Sequence, residues 1–281
     1  MVNERTLTDI RRLALNMRKD IVVMIGCQGH TGHLGGSCSS ADVVAALYGH
    51  KMKFDPKNPQ WEGRDKFIYS KGHAAIAQYA AMAEVGYFPV EELKTCKVLG
   101  GRLQGHPDRI KTPGIEAGTG SLGQGLSIAN GMALAMRLDK KPNKVYCVMG
   151  DGEMAEGQIW EAAMAASVYK LDNLVGIVDQ NRLQATGTVE ERFNSNPLPE
   201  KWASFGWHVI EVDGHDIGQI LAALDEADTV KGKPTVLIAH TIKGKGVSFA
   251  ENVVGFHNGA LTEEQYATAL KELDAQLAAL D

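Results

Sequence analysis

Two short polar segments stand where strands of a parallel sheet would end. Gly150-Asp151-Gly152 follows one apolar run, and a segment containing Asn181 and Leu183 follows the next. The 28 residues between Gly152 and Asn181 leave room for one helix and one strand, which makes the two apolar runs neighbouring parallel strands. Because such strands end at the same edge of a sheet, the sequence predicts that Asp151 and Asn181 lie together.

These segments offer a set of hard oxygen ligands. The Asp151 carboxylate, the Asn181 amide oxygen and the Leu183 carbonyl are donors that Mg²⁺ prefers, with phosphate oxygens and water completing an octahedral shell. The flanking glycines leave space for a diphosphate, and the helix that follows offers free N–H groups to anions. The pattern predicts a Mg-diphosphate site. A dinucleotide-binding site is disfavoured. The near match to its G-x-G-x-x-G motif, Gly120–Gly125, does not follow a clear strand.

The elements that must position this site alternate along the chain. Apolar strands separated by helices predict an α/β fold with a parallel sheet covered by helices on both faces. We expect a single domain over residues 1–281, in which residues 90–121 form a long glycine-rich loop. The predicted strands are Phe67–Tyr69, Val145–Met149, Leu174–Val178, His208–Val212 and Thr235–Ala239, and the predicted helices are 7–24, 41–52, 74–85, 122–137, 159–169, 217–227 and one from Thr262 onward.

Composition excludes several function classes. With 44% hydrophobic and 22% charged residues, the 281-residue chain is typical of a globular protein and not of a disordered one. A net charge of -5 without a basic run argues against a nucleic-acid or anionic-membrane partner. No stretch reaches the ~18 apolar residues of a membrane span, no signal-peptide core is present, and we expect a cytoplasmic protein. The four cysteines, Cys27, Cys38, Cys96 and Cys147, form no C-x-x-C pair and are interpreted as reduced thiols.

Further motifs occur in a fixed order around these two segments. Together they resemble the thiamine diphosphate signature of the transketolase family. The segments that carry the resemblance are Gly32-His33-Leu34-Gly35-Gly36, Ser70-Lys71-Gly72-His73-Ala74, Gly105-His106-Pro107, the run from Gly118 to Gly125, the run from Gly150 to Gly157, and Lys243-Gly244-Lys245-Gly246 followed by His257. The sequence departs from the family in two respects. It corresponds only to the diphosphate-binding half of a usual transketolase, and it has His257-Asn258-Gly259-Ala260 where the family often has His-Gly-x-Pro.

The resemblance implies a role for each matching residue. Asp151, Asn181 and the Leu183 carbonyl would hold Mg²⁺, for which Ca²⁺ or Mn²⁺ can substitute, and Gly152, His73 and Asn181 would contact thiamine diphosphate. Gly120, Ser121 and Leu122 would approach its aminopyrimidine and thiazolium rings, with Gly36, Lys71 and Lys243 lining the same cleft. His33, His73, His106 and His257 would serve catalysis on a sugar, and Glu156 would join a network between two cofactor sites across a subunit contact. His50, His208 and His215 match no motif and are interpreted as surface or core groups.

The resemblance also implies the function. The chain would be the N-terminal subunit of a split transketolase, which moves a two-carbon ketol unit from a ketose phosphate to an aldose phosphate, as in the pentose phosphate pathway. The pyrimidine-binding and C-terminal domains, with the activating glutamate and the ligands of the sugar phosphate, would belong to a separate C-terminal subunit in an α2β2 assembly. Two alternatives stay open: a thiamine diphosphate-binding subunit of a 2-oxoacid dehydrogenase, and a non-catalytic thiamine diphosphate-binding protein.

Overall fold

A parallel sheet forms the centre of the molecule. The computed structural model describes residues 3–26 and 31–280, so that Cys27 and His30 lie outside the described residues. Within these ranges, five strands pair in the order β1-β2-β3-β5-β4, and every pair is parallel. The strands are β1 (Lys66–Tyr69), β2 (Val145–Gly150), β3 (Leu174–Gln180), β4 (His208–Asp213) and β5 (Thr235–His240). The predicted strands and sheet are confirmed.

Helices cover both faces of the sheet, as the apolar strands predicted. Successive side chains of one strand enter two different cores: Tyr146 and Val148 pack in one hydrophobic cluster, whereas Val145 and Cys147 pack in the other. The α-helices in the described residues are α1 (Glu4–Gly26), α2 (Leu34–Ser39), α3 (Ala41–Ala46), α4 (Ala75–Glu84), α5 (Gln124–Leu138), α6 (Gly157–Val168), α7 (Val189–Phe193), α8 (Leu198–Ser204), α9 (Ile217–Thr229) and α10 (Glu263–Ala278). The first cluster includes residues of α1, α4, α9 and α10, and the second includes residues of α5, α6 and α8.

The structure differs from the predicted elements in three places. The helix predicted over residues 41–52 is α3 followed by a π-helical turn, Leu47–Lys51, and α2 forms in a segment where two glycines lower helix propensity. Helices α7 and α8 were not predicted, because each is shorter than two full apolar repeats. The long loop predicted over residues 90–121 is confirmed for most of its length, because residues 96–123 contain neither an α-helix nor a strand.

Two further expectations can be compared with the structure. Among the described residues, no helix is long and apolar enough to cross a membrane. Cys38, Cys96 and Cys147 are buried free thiols, as predicted.

Candidate functional site

A cavity of about 330 Å³ lies at the carboxyl ends of the strands. Its lining contains most of the residues that the motifs singled out, drawn from segments far apart in the chain. These lining residues are His33, Gly36, Lys71, His73, Gly120, Leu122, Asp151, Gly152, Asn181, Leu183, Lys243 and His257. The sheet register explains the meeting of the two polar segments, because Gly150 of β2 pairs with Asp179 of β3. Asp151 and Asn181 follow these paired positions.

The predicted oxygen ligands converge in this cavity. Asp151 is 4% exposed, and its two carboxylate oxygens accept hydrogen bonds from the Gly152 N–H at 2.8 Å and the Arg182 N–H at 2.5 Å. The Asn181 Nδ2 donates to the Asp179 carboxylate at 3.0 Å, which fixes the amide so that Oδ1 faces away from Asp179. The Leu183 carbonyl accepts a hydrogen bond from the Lys243 ammonium at 2.8 Å. The Asn181 Oδ1 accepts the Leu183 N–H at 3.2 Å. All three residues line the cavity, and each of the three oxygens has a second lone pair that can bind a ligand.

In the part of the chain that the structure describes, no cation forms an ion pair with Asp151, although the charge of Lys71 acts on it from a distance. Burial, and then the nearby negative charge of Asp179, raise the pKa of Asp151 to about 7. Among the described residues, no group of three His, Cys, Asp or Glu side chains is placed to hold a metal ion. A metal here would therefore be held by one carboxylate with amide and carbonyl oxygens, the ligand type of Mg²⁺ rather than of zinc. The donor set and the buried carboxylate fit a divalent cation.

The walls of the cavity also fit a diphosphate. A Cβ atom at Gly152 would lie 2.9 Å from Gln184 Cγ, so a larger residue would crowd this wall. At Gly36, a Cβ would be in ordinary contact with His73 Nε2 and Lys71 Nζ, each 3.9 Å from the place where it would stand. Anions that enter between these residues meet a glycine-lined surface flanked by lysines.

Lys71 is committed to a second buried carboxylate. Its ammonium forms an ion pair with Asp179 and donates to the Gly36 carbonyl at 2.7 Å, while its side chain passes Gly150 at the end of β2. Burial is the largest single influence and acts against the charged form of both groups, but their mutual attraction and the hydrogen bonds around them together outweigh it: the pKa of Lys71 is raised and that of Asp179 is lowered. Lys71 lines the cavity as predicted, yet its charge is already balanced by Asp179.

Three histidines form a triangle on one side of the cavity. The ring centroids of His33 and His73 are 4.8 Å apart, and His257 lies 5.4 Å from each. Burial first, and the charges of nearby lysines second, lower the pKa of His33 and His257 to about 4 and that of His73 to about 2. The rings are therefore neutral at neutral pH, and they offer hydrogen bonds rather than charge.

Backbone contacts between the two ends of the chain hold this triangle together. Gly32 and Gly259 exchange backbone hydrogen bonds of 2.9 and 3.0 Å, which joins the loop of His33 to the loop of His257. Gly244 N–H donates to the Gly35 carbonyl at 3.0 Å, and a Cβ at Gly35 would lie 2.8 Å from the Lys243 side chain. Although His257 is not followed by the usual family residues, its position is set by these contacts.

Lys243 connects His257 with the oxygen ligands. Its buried ammonium donates to the carbonyls of Leu183 and Gln184 and lies 2.8 Å from His257 Nδ1. An ammonium has no acceptor, so His257 Nδ1 accepts and its Nε2 carries the proton. Burial lowers the pKa of Lys243 to about 8.

Three predicted site residues lie outside the lining of this cavity. Ser121 is exposed, and so is Glu156 at the start of α6, where its side chain packs beside Gly123. His106 is also exposed and lines a second, open cavity of about 580 Å³, although its ring adjoins Gly120 of the first. The subunit-contact role predicted for Glu156 stays a prediction.

The sequence analysis missed residues that hold the site in place. Glu153 is buried and accepts hydrogen bonds from Gly123 N–H at 2.8 Å, Gly150 N–H at 3.0 Å and the Ser70 hydroxyl. It thereby ties three motif segments together. Glu153 was visible in the run Gly150–Gly157, but its partners Gly123 and Ser70 lie in two other segments, and the sequence does not show that they meet.

His215, which was interpreted as a surface or core group, is a second missed residue. Its Nδ1 lies 2.7 Å from Asp42, and its Nε2 accepts the Ile242 N–H at 2.8 Å. Asp42 in turn pairs with Arg18. His215 therefore anchors the backbone beside Lys243.

The comparisons with known proteins agree with this geometry. Residues 4–277 match the family described as "Transketolase, thiamine diphosphate binding domain". The chain is 47% identical over 268 residues to the 6-deoxy-6-sulfo-D-fructose transketolase subunit SqwG of Clostridium sp. (strain MSTE9), an alignment that covers 95% of this chain and 97% of that protein. It is 43% identical to an apulose-4-phosphate transketolase subunit from Phocaeicola vulgatus, covering 94% of this chain and 93% of that protein.

Solved structures show the same fold. The transketolase of Campylobacter jejuni superposes with a TM-score of 0.86 at 31% identity, covering 100% of this chain but 46% of that one. A transketolase variant from Pichia stipitis gives a TM-score of 0.86 at 30% identity, covering 98% of this chain and 44% of that one. The chain therefore spans less than half the length of these transketolases, whereas it spans nearly all of the two relatives whose names call them subunits.

Proposed function

The chain belongs to the transketolase family as its thiamine diphosphate binding domain, and from that premise we propose that it is the N-terminal subunit of a split transketolase. In this function, it acts with a separate C-terminal subunit to move a two-carbon ketol unit from a ketose to an aldose. The observation that carries the proposal is the contrast in length: the chain matches whole proteins named transketolase subunits but only part of single-chain transketolases.

The cavity residues are suited to hold the cofactor and its metal. Asp151, Asn181 and the Leu183 carbonyl would bind Mg²⁺, and Gly152 and His73 would face the diphosphate. Lys243 would add positive charge near both. When bound there, thiamine diphosphate would supply the nucleophilic carbon that ketol transfer requires.

The histidines are suited to bind a sugar. Because they are neutral at neutral pH, His33, His73 and His257 can donate hydrogen bonds to hydroxyl groups or accept hydrogen bonds from them. His257 presents its Nε2–H, since Lys243 occupies Nδ1. This neutral, donor-rich wall suits a polyhydroxylated ketose better than the acyl group of a 2-oxoacid, and the family match also decides against the 2-oxoacid dehydrogenase interpretation.

The partner would complete the site. A cofactor held from one side by this chain needs a second protein surface over its pyrimidine end, and an α2β2 assembly is the simplest arrangement that supplies it. Two relatives are named as transketolase subunits, which supports a separate partner for this chain as well.

The substrates are proposed at the level of chemical class. One relative is named for 6-deoxy-6-sulfo-D-fructose and another for apulose 4-phosphate, so that both sulfonated and phosphorylated sugars occur among similar proteins. We propose a ketose with a terminal oxyanion as donor and an aldose phosphate as acceptor. Xylulose 5-phosphate and ribose 5-phosphate, the pentose phosphate pair, are the first pair to test.

The decisive experiment measures ketol transfer with thiamine diphosphate and Mg²⁺. The donors are xylulose 5-phosphate, 6-deoxy-6-sulfo-D-fructose and apulose 4-phosphate, and each is assayed with this chain alone, with the transketolase C-terminal chain encoded beside it, and with both. Transfer only in the mixture is expected. Transfer by this chain alone would remove the need for a partner, and thiamine diphosphate binding without transfer from any donor would favour a non-catalytic protein.

A further inference from the structure

Lys97 lies between two of the site histidines. Its ammonium donates to the Thr31 carbonyl at 2.5 Å, two residues before His33. Its Cε lies 3.7 Å from the place where a Cβ of Gly105, the neighbour of His106, would stand. Its charge is near enough to lower the pKa of both histidines, after burial itself. Lys97 is in the lining of neither cavity but lies between them, at a rim formed by Thr31, near His33 of the first cavity, and Gly105, in the lining of the second.

The charge of Lys97 is not balanced by a carboxylate. Within residues 3–26 and 31–280, no carboxylate lies within ion-pair distance of its Nζ, and its one hydrogen bond leaves two N–H donors available. Lys71, by contrast, is paired with Asp179, and Lys243 points toward the proposed metal ligands. Lys97 is also one of the few non-glycine residues with a left-handed backbone, at φ 63°, a conformation that the local sequence does not favour.

The neutral histidines leave one recognition problem unsolved. They can bind sugar hydroxyls but cannot neutralise a terminal phosphate or sulfonate, which needs a cation to be held away from water. The resemblance to transketolases places most ligands of that group in the half assigned to the proposed C-terminal subunit. Within the described residues, Lys97 lies near both His33 and His106 and keeps free donors.

Building on the proposed function, we propose that Lys97 is a specificity-determining residue that binds the terminal oxyanion of the donor sugar. The carbonyl end of the ketose faces the histidine triangle, and its charged end reaches the rim where Lys97 lies. The chemistry recognised is a tetrahedral oxyanion, either phosphate or sulfonate. This chain therefore contributes to the choice of substrate as well as to cofactor binding.

Three donors test the proposal with the reconstituted complex: xylulose 5-phosphate, 6-deoxy-6-sulfo-D-fructose, and erythrulose, which has no terminal anion. Lys97→Met removes the charge and keeps the side-chain length. We expect it to lower kcat/KM about 10- to 100-fold for the two anionic donors, mainly through KM, and to leave erythrulose within about twofold. Lys97→Arg should restore most of the loss. A loss confined to one anionic donor would assign Lys97 to phosphate or to sulfonate alone.

Two controls separate this role from others. Arg109→Gln removes an exposed cation from the lining of the second cavity and should leave the donor preference unchanged. An equal loss for erythrulose in Lys97→Met would show that Lys97 only holds the Thr31 to His33 loop, and it would overturn the proposal; so would undiminished use of both anionic donors. If the unaltered complex transfers from no donor, the proposed function itself fails, which is a different result from equal losses in the variant.

Discussion

Two buried carboxylates stand side by side at the ends of β2 and β3, and they differ in what neutralises them. Asp179 is fully buried and is surrounded by the Lys71 ammonium and the hydroxyls of Ser39 and Thr241. Asp151, almost equally buried, accepts only two backbone N–H groups. The pKa of Asp179 is lowered, whereas that of Asp151 is raised to about 7.

The difference in their neutralisation gives Asp179 and Asp151 different roles at the same edge of the sheet. Asp179 forms a complete ion pair that also fixes the orientation of the Asn181 amide, so its role is satisfied inside the protein. Asp151 faces an open cavity without a cation of its own, which is a costly arrangement unless a cation enters from outside. Asp179 therefore serves the scaffold of the site, whereas Asp151 is the proposed metal ligand.

The largest effect is expected from breaking the scaffold. Lys71→Met leaves the Asp179 carboxylate buried without a partner, and we expect it to lower the free energy of unfolding by about 3–5 kcal/mol. Denaturant unfolding of the cofactor-free chain measures this change. Because Asp179 also orients Asn181, the variant should lose metal-dependent cofactor binding as well.

A double variant tests whether the pair acts as a unit. Lys71→Met combined with Asp179→Leu replaces both charges by apolar groups and should recover much of the lost stability. It should not recover cofactor binding, since the Asn181 amide stays without its partner. If the double variant loses as much free energy of unfolding as the two single variants together, Lys71 and Asp179 do not act as a pair.

Breaking the ligand should have the opposite profile. Asp151→Asn removes the charged metal ligand, and we expect Mg²⁺-dependent binding of thiamine diphosphate to weaken by about 100-fold or more. The free energy of unfolding should change by less than about 1 kcal/mol, because relief of the buried charge and loss of one N–H acceptor oppose each other. Titration calorimetry and denaturant unfolding measure the two quantities. A cofactor affinity like that of the unaltered chain would show that Asp151 holds no metal.

Asp20 provides a control carboxylate outside the site. Burial and the neighbouring Glu84 raise its pKa to about 8 from an ordinary value of 3.8, although Lys19 acts in the opposite direction. Between these two pKa values, Asp20 is therefore deprotonated in the unfolded chain and protonated in the folded chain. Because folding must then take up a proton, Asp20 lowers the free energy of unfolding progressively as pH rises through this window. Asp20→Asn should stabilise the chain by about 1–2 kcal/mol near pH 7.5 and by almost nothing near pH 4.

The same variant sharpens the comparison with Asp151. Asp20 also has a raised pKa, but it faces another carboxylate rather than a cavity lined by oxygen ligands. Its replacement should therefore leave metal and cofactor affinity unchanged. Unfolding curves across this pH range, paired with one calorimetric titration, check both statements. A stability gain that does not depend on pH would contradict the protonation of Asp20.

The sequence predicted the fold because its signals are local. Short apolar runs identified every strand, and the helices of three or more turns showed their periodic faces. The short helix α2 could not be predicted, because it contains two glycines and is stabilised by complete burial rather than by its own propensity.

Within the site, the sequence predicted the residues that follow two neighbouring strands. It did not predict the residues that pair with each other from either side of a strand. Asp151 and Asn181 were predicted to meet because the ends of neighbouring parallel strands coincide. The pairing of Lys71 with Asp179 was not, because these residues follow β1 and end β3, on either side of β2, and only the strand order shows that one reaches the other. Lys97 was missed for a similar reason, since its contact with Thr31 joins two loops.

The smallest effect is expected at Glu156, an acid that lies close to Asp151 in sequence but outside the lining of the cavity. Its side chain is exposed, so Glu156→Gln should leave the unfolding midpoint of the isolated chain unchanged and its cofactor affinity within about twofold. The resemblance to transketolases places this acid in a network across a subunit contact, so ketol transfer by the complex should fall. A matched change at Glu161, exposed on α6, should alter neither property. If Glu156→Gln weakens cofactor binding by the chain alone, its role lies within this subunit. If Glu156→Gln lowers only the activity of the complex, Glu156 acts at the contact with the partner subunit and not within the isolated chain. This is the result expected for a site that the partner completes.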